Sequence, residues 1–164
     1  MSIFDVTLTL SALLCSLVAG FLFAYAVVIM PGIKNLEDKP FIKAFQITDR
    51  VIQNNQPVFL FVWIGSAVSL IACSISGFSI LEGLDFYLLL LATAAYLVGV
   101  QVSTIVIHLP LNNKLQEYDV ESMSNEELHK ARLGFESRWN RSNQIRTIIA
   151  CGVSLLLILL ALRY

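Results

Sequence analysis

The chain has 164 residues, 57% of them hydrophobic and only 14% charged, with a net charge of −1. That length fits a single domain over 1–164, and that balance belongs to a membrane protein rather than a soluble one. Basic residues are interleaved with acids instead of forming a stripe, which argues against nucleic acid as a partner.

Four apolar segments are expected to cross the bilayer, at about 6–30, 57–76, 84–108 and 147–162. The first three reach the ~20 residues that a ~30 Å hydrocarbon core requires. The fourth is shorter, with Arg146 and Arg163 placed to snorkel outward at its ends. The first segment follows Asp5 and no Lys or Arg, and it is too long for the apolar region of a signal peptide, so it is expected to remain as a helix. Pro31-Gly32 should stop it at Met30. Ser16, Gly20 and Ala24 recur at four-residue spacing and predict a close-packing seam.

Asp38 and Pro40 signal a second helix. Phe41, Ala44, Phe45, Ile47, Val51 and Ile52 make its apolar face, and Lys43, Gln46, Asp49, Arg50 and Gln53 fill the remainder. It either lies on the membrane surface or leads into the second span, with a kink or break at Pro57. The second span carries Ser66, Ser69, Cys73 and Ser76 on one stripe. In the third, Ala95, Gly99 and Ser103 form a small-residue face, while Gln101, Thr104 and His108 form a polar one. Two such faces imply a central position, and Pro110 should end the helix. Cys15, Cys73 and Cys151 all lie within spans and read as small packing residues.

Ser124 and Glu127 then form a capping box, with Met123 and Leu128 as its hydrophobic staple. No proline follows, so one helix is expected from Asn125 through the membrane to about Leu162, roughly 57 Å at 1.5 Å per residue. Leu128, Phe135 and Trp139 should face inward along it, and Arg132 should be exposed. The fold class is therefore all-α, an integral membrane four-helix bundle with amphipathic cytoplasmic helical extensions. All basic residues except Arg163 fall in the loops 31–56 and 109–146. The positive-inside rule puts both loops in the cytoplasm and both termini outside the plasma (inner) membrane.

Ionisable groups inside the bilayer are scarce, but amides and one arginine crowd the cytoplasmic ends of spans three and four. Gln101, Thr104 and His108 share one helical face, and Asn112 follows it; Trp139, Asn143 and Arg146 share another. If the two faces meet, they enclose a polar pocket suited to a phenolate, enolate or carboxylate. The alternative is ordinary interfacial anchoring, with Trp at headgroup level and Arg on lipid phosphate. Glu126-x-x-His129 is half of a di-iron pattern whose second half is missing, and His108 has no second axial ligand indicated, so no metal is expected.

Three stretches carry a family resemblance: Phe23-Ala24-Tyr25-Ala26-Val27-Val28-Ile29-Met30-Pro31-Gly32, Pro110-Leu111-Asn112-Asn113, and Trp139-Asn140-Arg141-Ser142-Asn143-Gln144-Ile145-Arg146. With Phe45-Gln46 and Gln53-Asn54-Asn55-Gln56-Pro57 between them, the chain resembles the anthrone oxygenase-like family of small four-helix membrane proteins. Some members are implicated in oxidising polyketide anthrones to anthraquinones with molecular oxygen, without a recognised metal or flavin. The resemblance implies roles for Pro110, Asn112, Trp139, Asn143 and Arg146, and no cofactor. The expected partners are the lipid bilayer, a small apolar or phenolic ligand and a second copy of the chain. The competing expectation is a non-catalytic bundle that binds a lipid-like molecule or a partner protein. A transporter fits less well, because no intramembrane acid or base is evident for ion coupling.

Overall fold

A computed structural model describes residues 2–164 of the chain. Five helices carry the architecture: α1 (Ile3–Ile33), α2 (Asp38–Gln53), α3 (Pro57–Gly77), α4 (Gly83–Gln116) and α5 (Asn125–Ala161). All but α2 are long and apolar enough to cross a membrane, and no strand occurs among the described residues. The protein is an all-α integral membrane bundle.

Local chemistry sets the helix ends. Ser2 and Asp5 exchange side-chain and backbone bonds in a capping box that starts α1. Ser124 and Glu127 do the same for α5. Asn55, at φ 57°, breaks the chain between α2 and α3, and Pro57 takes the first turn of α3. So α2 is a separate helix rather than the leading end of the second span.

Two expected stops do not occur. Helix α1 passes Pro31 to Ile33, and α4, the third span, passes Pro110 to Gln116. Just before each proline the backbone widens into π-helical turns, at Tyr25–Ile29 and at Thr104–His108, with a further one at Leu97–Val102. The Met30 N–H bonds to the Tyr25 carbonyl and the Leu109 N–H to the Thr104 carbonyl, five residues back in each case. That register opens the turn which the proline ring would otherwise crowd.

Around the bundle, α1 packs on α3 and α5, and α4 packs on the same two, so α1 and α4 sit diagonally. The third span is therefore not the central one. In their most apolar stretches α1 and α5 are 39% buried, against 22% for α3 and α4. Gly99 does bring α4 close to α5, since an added Cβ would collide with Ile149. The expected seam on α1 faces away: nothing lies within 4 Å of a Cβ at Gly20. Its true seam is one residue over, through Leu8, Ser11, Ala12, Cys15, Val18, Ala19 and Leu22.

The apolar core has two parts. One fills the bundle around Phe4, Leu70, Leu89, Tyr96 and Leu157. The other sits where α2 crosses the bundle end that carries the basic loops, and it joins Tyr25, Met30, Phe41, Phe45, Leu115, Phe135 and Trp139. Here α2 turns a different face from the one expected. Phe41, Ile42, Phe45, Gln46 and Asp49 are buried, while Ile47 and Val51 are exposed. Carbonyl and amide groups at the end of α4 receive Gln46 and Asp49, so these two polar residues are buried beside Phe41, Ile42 and Phe45 while Lys43, Arg50 and Gln53 stay exposed.

Arg132 is also not exposed. Its guanidinium lies 4.2 Å over the Phe41 ring, pairs with Glu136 and Asp38, and donates to the Lys34 and Leu36 carbonyls. Arg163 pairs with Asp85 rather than reaching outward alone.

Candidate functional site

Between the two core clusters a cavity of about 400 Å³ remains, within the ~300–1,000 Å³ of small-molecule sites. Every spanning helix and α2 contribute to its wall. Aromatic rings dominate: Phe21 and Tyr25 from α1, Phe45 from α2, Phe59 and Trp63 from α3, and Trp139 from α5. Phe59 and Trp63 stack with centroids 5.4 Å apart at 23°, and Phe21 meets Phe59 edge-on at 5.2 Å. Ile64 and Ile105 line the cavity and are also exposed on the outer surface, so its mouth lies between α3 and α4.

Polar groups converge at one end. Arg146 is 4% exposed and, among the described residues, has no carboxylate partner. One of its Nη atoms donates to Thr104 Oγ1 at 2.8 Å and the other to Asn143 Oδ1 at 2.8 Å, while Nε is buried without a partner. Asn143 in turn donates to the Leu22 carbonyl at 3.1 Å, tying α5 to α1. Arg146 therefore does not snorkel to the headgroups; it points into the protein. A buried cation held only by neutral groups has most of its desolvation uncompensated, and an anion in the cavity would offset it.

His108 is 2% exposed. Its Nε2 lies 2.8 Å from Ser142 Oγ, its ring meets Trp139 edge-on at 5.1 Å, and its Nδ1 is buried without a partner. The Trp139 indole N–H donates to Asn112 Oδ1 at 2.9 Å, and Asn112 Nδ2 donates to Asp49 Oδ1 at 2.8 Å. Gln101 donates to the Trp63 carbonyl at 3.3 Å. Six of the residues singled out from the sequence, Gln101, His108, Asn112, Trp139, Asn143 and Arg146, thus line this one cavity together with Thr104, and Pro110 does not.

Several lining residues were not singled out. The aromatic wall comes from three other helices and had no periodic signal of its own. By sequence Asp49 belongs to the polar remainder of α2. It stands four and eight residues after Phe45 and Phe41, in line with the two aromatics that anchor the helix, and that spacing was the available clue. His129, the other histidine, pairs with Asp38 at 3.0 Å, away from the cavity.

Residues 49–156, more than half of the chain, match the family model described as anthrone oxygenase. The matched stretch begins at Asp49 and contains all six residues named above; the first span, which supplies Phe21 and Tyr25, precedes it. No curated protein and no solved structure matches the chain.

Proposed function

The chain belongs to the anthrone oxygenase family, and from that premise we propose that it is an oxygenase acting on a planar phenol or anthrone bound in the aromatic cavity as its anion. The observation that carries the reading is Arg146, a cation buried in the cavity wall with neutral partners only. An anthrone that has lost its ring-methylene proton is an enolate, electron-rich enough to reduce oxygen itself. Oxygen adds at that carbon, a proton completes a hydroperoxide, and loss of water leaves the quinone. The electrons come from the substrate, so this reading needs no cofactor.

The protein's part is to bind, orient and exclude water. Arg146 and Asn143 lie where the enolate oxygen would gain from fixed donors in a dry site. Phe59, Trp63, Phe21 and Tyr25 give the flat rings their contact area. Gln101, His108, Asn112 and Trp139 complete the binding wall. The mouth between α3 and α4 lets an apolar substrate arrive from the bilayer.

The test is oxygen uptake and quinone formation by purified protein supplied with 1,8-dihydroxyanthrone. A rate no higher than that of the protein-free detergent solution, with the anthrone bound, leaves a ligand-binding bundle and sinks the oxygenase. We further place the loops 31–56 and 109–146 in the cytoplasm, on the positive-inside rule. With the native cysteines replaced, Gly83→Cys should label from outside intact cells and Asn125→Cys should not; the reverse pattern inverts the orientation.

A further inference from the structure

Arg146 accounts for where the substrate's negative charge goes, but not for what takes its proton. One other charged group lines the cavity, Asp49, which α2 brings in. It is 2% exposed and, among the described residues, has no Lys, Arg or His within ion-pair distance. Its Oδ1 accepts from Asn112 at 2.8 Å; its Oδ2 accepts from Gln116 at 3.0 Å and Gln53 at 3.2 Å. A carboxylate offers about four lone-pair sites. Three are filled, and the remaining one is on Oδ1.

A tie between α2 and α4 does not require a charge. Gln46 already makes such a tie with a neutral amide, donating to the Leu115 and Tyr118 carbonyls. Burying a carboxylate without a cation beside it is costly, and three amide donors offset only part of that cost. The three amides also fix the carboxylate's position, and Asn112 is itself held by the Trp139 indole. An orienting chain therefore ends on a carboxylate in the cavity wall that has one lone pair not taken by the described residues. Proton abstraction beside a carbonyl uses such a combination elsewhere: an Asp base together with an oxyanion-stabilising pair in one site.

We propose that Asp49 is the proton acceptor of the site, a role that rests on the oxygenase reading above. Its Oδ1 takes the proton from the ring methylene opposite the substrate carbonyl. The C–H electron pair moves into the ring system, the charge settles on the carbonyl oxygen beside Arg146, and Asp49 is left as the carboxylic acid.

Proton removal can be followed without oxygen. In anaerobic D2O, wild-type protein should exchange the methylene hydrogens of 1,8-dihydroxyanthrone for deuterium faster than buffer alone, read by mass spectrometry. Both tryptophans of the chain, Trp63 and Trp139, line the cavity, so quenching of their fluorescence measures binding independently. Asp49→Asn should slow exchange by roughly 100-fold or more while binding stays within about twofold. Asp49→Glu, which keeps the carboxylate, should recover part of the exchange and guards against a fold-only effect. Exchange by Asp49→Asn at the wild-type rate overturns the proposal. So does loss of exchange in His108→Gln with Asp49→Asn unaffected, which would move the role to the free His108 nitrogen. Admitting oxygen separates the two readings: Asp49-dependent exchange without quinone upholds the proton acceptor and sinks the oxygenase. Wild-type binding with no exchange overturns the proton acceptor.

Discussion

In the half of the bundle away from the basic loops, neighbouring helices are joined by hydroxyl pairs: Thr7 with Ser76, Ser66 with Tyr96 and Ser74 with Thr93, at 2.7–2.9 Å. Each of these serines and threonines also donates to, or lies within bonding distance of, a carbonyl of its own helix. In the other half the joining groups are amides, an arginine and an aspartate, arranged around a cavity. A hydroxyl can fall back on the preceding turn of its helix, so its interhelical bond is an addition rather than a necessity. Guanidinium and imidazole groups have no such fallback, and Arg146 Nε and His108 Nδ1 are left without partners. The first half is nearly complete on its own, the Ser154 hydroxyl being its one buried group without a partner among the described residues. The second leaves a guanidinium nitrogen and an imidazole nitrogen open beside a cavity.

Arg146→Met tests that contrast most severely. It removes a buried charge that lacks a counter-ion, so thermal stability in detergent should hold or rise. Binding of an anionic aromatic should weaken by ~10- to 100-fold, the worth of a charged hydrogen bond of about 1.5–3 kcal/mol. Arg146→Lys should weaken it too, because a point-like ammonium cannot reach Thr104 and Asn143 together as the planar fork does. A lowered Tm with unchanged tryptophan quenching would make Arg146 a structural residue and erase the difference between the halves.

Legibility in the sequence follows the same division. Hydropathy and caps are local, so four spans, the Ser124–Glu127 start and an uninterrupted α5 could all be read before the structure. The pocket faces could be read because Gln101, Thr104 and His108, and Trp139, Asn143 and Arg146, each keep helical spacing on one element. The failures come where a second element decides. Pro31 and Pro110 look like stops until the π-turns ahead of them are seen. The buried face of α2 is chosen by acceptors and donors on α4, which bury Gln46 and Asp49 beside its aromatics. The Ser16–Gly20–Ala24 repeat has the right spacing and the wrong direction, since nothing along α1 says which side α3 and α5 will take.

Arg132 sharpens the comparison with a smaller effect. It ties α5 to α2 through Asp38 and the Phe41 face and to the segment before α2 through the Lys34 and Leu36 carbonyls, with Glu136 of its own helix as second carboxylate, so it belongs to the second half without touching the cavity. Arg132→Lys should cost about 1–3 kcal/mol, seen as faster amide hydrogen exchange in residues 38–53 with exchange in 57–77 unchanged. Equal change in both segments would mean that α2 is not a separately stabilised cover.

The hydroxyl half should yield less. A double-mutant cycle on Ser66→Ala and Tyr96→Phe should give a coupling of about 0.6 kcal/mol, the average for interhelical bonds within membranes. Ligand binding should be unmoved. A coupling several times larger, or weakened binding, would show that this half also supports the site.

The smallest effect is a pH dependence at the outer edge of α2. Glu121 is paired with Lys39 at 2.6 Å and also with Lys43. These two lysines hold its carboxyl down at about 2, from an ordinary 4.5. A depressed acid stabilises the folded state fully above its unfolded value and loses that contribution as pH falls through its folded one. The tether should therefore be intact above pH 4.5 and fade between 4.5 and about 2. Glu121 is exposed, so the effect is slight and salt-sensitive. Other carboxylates titrate in the same window, which makes the wild type minus Glu121→Gln difference the quantity to follow. Protease cleavage around residues 34–43 should differ between the two proteins at pH 6, converge toward pH 2, and differ less at pH 6 in 1 M salt. A difference that persists at low pH and in high salt would mean that Glu121 holds α2 by packing rather than by charge.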